Sequence, residues 1–224
     1  MTGIPVTQPA GQGVLLLHGI GGAPLVLRRL ELALRAQGYR VLNLAYPSRR
    51  LDLEAIAELI APQVQAFADG LDGPLHIVTH SMGGLVARVL LARHRPAQMG
   101  RMVQLAPPLA GSEIADALHR QWLFKKALGP AGEQLITRNR QGWRATPTPK
   151  SVEVGIIAGS LCVSVLGWAL LPRPNDGRVA LWSTMDNAAR DHIVVPATHT
   201  GLALHPRTIR QTLHFLRVGA FSRR

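Results

Sequence analysis

The residues best suited to chemistry lie in two short glycine-rich turns, His18-Gly19-Ile20-Gly21-Gly22 and Thr79-His80-Ser81-Met82-Gly83-Gly84. A serine hydroxyl is a weak nucleophile that needs exposure, a neighbouring base and donors for the negative charge its attack creates. Ser81 follows Leu75-His76-Ile77-Val78-Thr79, an apolar run that predicts a buried strand, and precedes Leu85, Val89 and Leu90 at helical spacing. A sharp strand-to-helix turn exposes the serine Oγ and sets it beside a helix N-terminus, where negative charge is stabilised. Such a turn is crowded and wants small residues two positions before and after the serine. Gly83 meets that need, while Thr79 departs from the Gly-x-Ser-x-Gly pattern and requires extra room from its neighbours.

The first turn follows Val14-Leu15-Leu16-Leu17, a second run suited to a buried strand. Glycines there let backbone amides face a reacting carbonyl oxygen. The candidate oxyanion donors are the amides of Ile20 and of Met82, the residue after the serine. A His-Gly-x-Gly turn alone serves equally well as a phosphate loop, but no Gly-Lys-Ser/Thr accompanies it, which excludes a P-loop. Together the two turns describe a site for acyl transfer to serine.

The elements around these turns alternate between strand and helix. Pro24 starts a helix with Leu27, Leu30 and Leu34 on one face, closed at Gly38. Residues 39–46 read as a strand halted by Pro47, and 53–68 as a helix that Pro62 should kink or break. Strands are expected at 101–106, 152–158 and 191–195, and a closing amphipathic helix after His205-Pro206. Residues 112–149 are the least regular, with one helix near 112–118 followed by basic, Gly/Pro-punctuated sequence. This order predicts one α/β domain over 1–224, a mostly parallel sheet with helices on both faces and no large cap domain. Ligands then bind at the carboxyl ends of the strands.

The chain resembles the α/β-hydrolase superfamily, in particular compact bacterial lipases and esterases carrying His-Gly-Ile-Gly-Gly and His-Ser-Met-Gly-Gly. The resemblance runs in order from Val14 to Phe221, with 112–149 poorly defined by it. It implies a triad in the order serine, acid, histidine. Asn175-Asp176-Gly177-Arg178-Val179 is similar to the family's acid-bearing turn, so Asp176 is the expected acid and Asp186 the runner-up. Asn-Asp-Gly is also ordinary turn chemistry. Among His192, His199, His205 and His214, only His199 falls just beyond the carboxyl end of the last strand, so it is the expected base. The implied reaction is cleavage of a small-molecule or lipid acyl ester by Ser81, His199 and Asp176, with no metal or organic cofactor. An acyltransferase or thioesterase would use the same triad, and a non-catalytic binding protein could keep the fold. His18 and His80 are read as positioning or packing residues.

Composition narrows the partners. The chain has 25 Lys+Arg against 13 Asp+Glu, a formal charge of +12, which favours anionic partners. Aromatics are 4% and the arginines are scattered, so a specific nucleic-acid surface is not expected. Cys162 is the sole cysteine and can form no internal disulfide. No signal peptide is apparent, so a cytoplasmic location is expected, with peripheral contact at an anionic membrane surface. Val154 to Pro172 carries no charge and reaches the length of a membrane span, but its glycines and serines favour a buried strand followed by an apolar loop. That loop, residues 160–172, could line an acyl pocket or touch lipid, with Trp168 as anchor. Lys125, Lys126, Arg138, Arg140 and Arg144 could draw the irregular stretch to an anionic interface, and the same stretch is the candidate for a lid. Oligomeric state is not legible.

Overall fold

The computed structural model describes residues 11–118, 122–137 and 151–223. Its centre is a parallel sheet of six strands: β1 (Gly13–Leu17), β2 (Arg40–Leu44), β3 (Leu75–His80), β4 (Met99–Leu105), β5 (Val154–Gly159) and β6 (Asp191–Val195). The spatial order is β2-β1-β3-β4-β5-β6, with every pairing parallel. The chain therefore steps outward from β1 to β2, then crosses back to β3 and proceeds the other way. The reversal leaves a crevice above the carboxyl ends of β1 and β3, the usual place for a ligand in such sheets.

Two core layers follow from the period-two alternation of the strands. Leu15, Leu17, Leu75, Ile77, Met102 and Ile156 face α2 (Leu53–Asp69) and α3 (Gly83–Arg93). Val14, Leu16, Val78, Val103 and Ile157 face α1 (Arg28–Ala36) and α8 (Pro206–Val218), with Leu30, Leu34 and Phe215 opposite them. β1 and β3 are buried along their whole length, which explains why they read as continuous apolar runs. Each fully buried Leu, Ile or Phe contributes about 1.5–3 kcal/mol relative to exposure, so these two layers hold the strand ends in register.

The expected elements form with small shifts at their ends. Pro24–Leu27 is a tight helical turn leading into α1, and Gly38 ends the unit at φ 90°. The α2 helix continues through Pro62 rather than breaking there. Its packing against α3 supplies the stability that outweighs the one hydrogen bond a proline removes. The described part of the stretch between β4 and β5 is more regular than its sequence implies. It contains α4 (Glu113–Leu118) and α5 (Trp122–Gln134), the second bent at Gly129, whose φ of 63° and following Pro130 break one helical run and start another. Arg138, Arg140 and Arg144 lie outside the described residues, as do the side chains of Lys125 and Lys126. The uncharged run 154–172 divides into β5, a loop and the short helix α6 (Val165–Leu170). Among the described residues no helix is long and apolar enough to cross a membrane.

Candidate active site

Ser81 stands at the carboxyl end of β3 with φ 56°, a left-handed conformation that a non-glycine residue adopts only when its surroundings enforce it. The enforcing contacts are visible. The Ser81 amide donates to Leu105 O at 2.8 Å, and Gly84 N donates back to Ser81 O at 2.9 Å. A Cβ on Gly83 would lie 2.7 Å from His18 O and closer still to Leu17 O, so only glycine lets α3 approach the end of β1. A Cβ on Gly19 would fall 2.9 Å from Ser81 Cβ. The two turns therefore interlock backbone to backbone.

Thr79 finds its room from a neighbour that the sequence pattern did not single out. It is wholly buried, and a Cβ on Gly84 would reach 3.3 Å from Thr79 Oγ1 and 2.8 Å from Gln104 Nε2. The second glycine of the pair thus makes the space that a first motif glycine would have left. Thr79 Oγ1 has no hydrogen-bond partner among the described residues, so its role here is volume.

The turn after β1 is braced from β2. The Tyr46 ring stacks on His18 with centroids 4.1 Å apart and an interplanar angle of 8°, and Tyr46 OH donates to His18 O. Ser48 Oγ accepts from Gly21 N at 3.0 Å. Tyr46 and Ser48 were not anticipated, although their place just beyond the carboxyl end of β2 was the available signal. Burial holds the His18 pKa below its usual value, so the ring is neutral and packs as an aromatic. Among the described residues, neither the Ile20 amide nor the Met82 amide donates to any group. Two unpaired N–H groups beside one serine are a costly arrangement unless a ligand oxygen is meant to fill it.

Asp176 and His199 meet as the resemblance implies. His199 follows β6 at the start of the short helix α7 (His199–Leu202), capped by Thr198 Oγ1 accepting from Gly201 N. Its Nδ1–H donates to Asp176 Oδ2 at 2.8 Å, and its backbone amide donates to Asp176 O at 2.9 Å. The second carboxylate oxygen, Oδ1, accepts from the amides of Arg178 at 3.0 Å and Val179 at 2.8 Å. Burial works to raise the Asp176 pKa, but the bonds and charge of His199 and the two amides outweigh it, and the carboxyl is held below its usual range. The Asn-Asp-Gly turn is real turn chemistry as well, with Asn175 Oδ1 accepting from Gly177 N, and it serves to aim the acid.

The alternatives are engaged elsewhere. Asp186 is ion-paired with the buried Arg88 of α3, and Asp191, at the amino end of β6, accepts from Phe221 N and Arg223. Asp116 accepts from Thr137. His192 shares a hydrogen bond with Thr184, His205 caps α8, and His214 bonds Ala220 O. His80 takes a supporting position: its Nε2–H donates to His199 O at 2.9 Å, and the two rings lie 4.8 Å apart. Complete burial, with the nearby His199, drives its pKa down to about 3, so it stays a neutral donor.

Ser81 and His199 line one cavity of about 640 Å³, within the range of small-molecule sites. No hydrogen bond joins Ser81 Oγ to the imidazole, a contact that commonly tightens only when substrate binds. Ile114, Leu118, Leu128 and Leu135 from α4, α5 and the turn that follows form an apolar wall, and Leu166 of α6 completes it. Beyond that wall the loop turns outward: Val163, Val165 and Trp168 are 75%, 84% and 66% exposed, and Arg173 sits over the Trp168 ring. The 160–172 segment thus both lines the cavity and presents apolar side chains to solvent. Among the described residues no group of three or more His, Cys, Asp or Glu side chains is placed to hold a metal ion.

With this geometry in view, the chain matches the profile of the alpha/beta hydrolase family over residues 14–215, and it belongs to that family. Solved structures similar in fold include a lipase of Bacillus licheniformis in its mature form, with 18% identity, TM-score 0.80, and coverage of 97% of this chain and 96% of that one. A carboxyl esterase of metagenomic origin is 18% identical with TM-score 0.73, covering 90% of this chain and 69% of its own. A thioesterase from the prodiginine biosynthetic pathway of Streptomyces coelicolor is 16% identical with TM-score 0.57, covering 98% and 96%. Comparison with curated protein sequences gave no match.

Proposed function

We propose that this hydrolase cleaves carboxylic esters by a serine acyl-enzyme route. The observation that carries the reading is the positive-φ Ser81 between two undonated amides, in the same cavity as an imidazole whose far side is fixed by a buried carboxylate. His199 removes the Ser81 proton as Oγ attacks the ester carbonyl, and Asp176 holds the ring in the tautomer with Nε2 bare and supports its charged form. The amides of Ile20 and Met82 receive the oxyanion. Collapse of that intermediate returns the proton from His199 to the departing alcohol. Water, activated by the same imidazole, then attacks the acyl-enzyme and releases the acid.

The apolar wall supports an acyl chain rather than a polar acyl group as the part bound inward. The similarity in fold to a lipase and a carboxyl esterase agrees with ester substrates. The exposed Val163, Val165 and Trp168 beside the cavity support contact with a lipid surface, since the chain's positive charge would draw it to anionic headgroups. The reading is tested with p-nitrophenyl esters of graded chain length on the wild type and on Ser81→Ala. Hydrolysis that rises with acyl length and disappears in the variant is expected. Activity retained in Ser81→Ala would overturn the assignment.

A further inference from the structure

The cavity carries charge of one sign. Arg49 and Arg178 both line it, and no Asp or Glu does so among the described residues. They come from loops after different strands, Arg49 after β2 and Arg178 after β5. The Arg49 guanidinium lies against Gly21 in the turn that holds the Ile20 amide, so close that a Cβ there would be 2.6 Å from its Nη2. Arg178 belongs to the acid turn, where its own amide bonds Asp176 Oδ1.

Both side chains are exposed, and neither has a carboxylate within 4.0 Å or a hydrogen-bond acceptor among the described residues. Elsewhere Arg88, Arg101 and Arg190 each hold an acid. Two arginines that line one cavity without an acid to neutralise them raise its potential, and a guanidinium group binds an anion in planar, bidentate fashion. The apolar wall of Ile114, Leu118, Leu128 and Leu135 takes the other end of the ligand.

We infer that the preferred substrate is an amphiphile: an acyl ester whose alcohol portion carries an anionic group, bound by Arg49 and Arg178 while its acyl chain lies along the apolar wall. The inference rests on the proposed esterase reading for its chemistry and adds the substrate class to it. Phosphate and carboxylate share the recognising geometry, so the test includes both.

Octanoyl esters of glycerol, glycerol phosphate and glycerate, each below its micelle concentration, are compared by kcat/KM on the wild type, Arg49→Gln, Arg178→Gln and the double variant. Arg210→Gln, an exposed arginine of α8 outside the cavity, is the charge control. The anionic esters should exceed the glycerol ester by about tenfold or more, the strength of charge-assisted hydrogen bonds. The advantage should shrink with added salt and fall to near unity in the double variant while persisting in Arg210→Gln. A gain confined to the phosphate ester assigns the subsite to phosphate; an equal gain for glycerate assigns it to anions in general.

Equal turnover of charged and neutral esters would overturn the inference, as would substitutions that slow all three esters alike. A second measurement is independent of turnover. Titration of octyl phosphate, and separately of octyl glucoside, into Ser81→Ala protein should show binding of the phosphate alone, lost when both arginines are replaced. Absence of octyl phosphate binding would sink the anionic subsite without touching the serine nucleophile, which is judged by covalent labelling.

Discussion

The floor and the wall of the cavity are built on different physical terms. The floor is made of strand ends, Ser81 from β3, the Ile20 turn from β1 and His199 from β6, held by backbone contacts too close for any side chain to intervene. The wall is made of short helices, α4 to α6, that turn apolar side chains to the cavity, and α6 with the loop before it also presents apolar side chains to solvent. Geometry within a few tenths of an ångström is demanded where bonds are made, and the parallel sheet supplies it. Binding an acyl chain demands area and shape, which short helices can provide. The contrast teaches that changes to the floor should cost chemistry or folding, whereas changes to the wall should alter what is bound.

The largest effect is expected at the acid. Asp176→Asn keeps the shape of the buried turn but no longer fixes the His199 tautomer, and ester turnover should fall by about 10⁴-fold. Near-normal kcat would break the assignment of Asp176. Gly83→Ala comes next, because its methyl would press on the carbonyls of Leu17 and His18. A stability loss of about 3 kcal/mol by urea unfolding is expected from such overpacking. An unchanged urea midpoint would show that the two turns are not locked together.

Acid should weaken the floor in a predictable direction. His80 and His76 are held at about 3 and about 4 in the folded state, chiefly by burial, against about 6.5 in the unfolded chain. Between those values the unfolded chain binds protons that the folded one refuses, so stability falls as pH drops from about 6.5 toward 4. The depressed Asp176 adds to the loss at still lower pH. His80→Gln should make the decline shallower in urea midpoints measured across this range, and an unaltered slope would contradict the buried, neutral state of His80.

The smallest structural effect is expected on the wall. Trp168→Ser removes a largely exposed ring that Arg173 covers in part, so the melting temperature should stay within the usual scatter for surface changes. Binding to vesicles of phosphatidylglycerol should weaken several-fold. Equal sedimentation of both proteins with vesicles would argue that the exposed segment does not meet lipid.

The floor was legible in the sequence and the wall only in part, the helix near 112–118 and the apolar loop 160–172 being the parts that showed. Parallel strands buried on both faces must be apolar throughout, and strand-to-helix turns that expose a nucleophile must be glycine-rich, so β1, β3, Ser81 and the Ile20 turn announce themselves. His199 and Asp176 were identified through the family resemblance and their places after strands. The wall obeys no such period. The α5 helix bends at Gly129-Pro130, a pair that reads as loop, and α6 has only six residues. The room that Gly84 makes for Thr79 depends on how α3 folds back on β3, and the brace from Tyr46 on a contact between elements far apart in sequence. Arg49 and Arg178 were invisible as a pair for that reason too, standing in different loops until the fold turns both toward one cavity.

The central claim is that Ser81 is an activated nucleophile. Labelling the folded protein with a fluorophosphonate and locating the adduct by mass spectrometry tests it most directly, because the reagent needs the serine, the base and the oxyanion amides together. Modification at Ser81 in the wild type, lost in His199→Ala of equal thermal stability, is the predicted result. A folded wild-type protein that stays unmodified at Ser81, with or without lipid vesicles, would contradict the account.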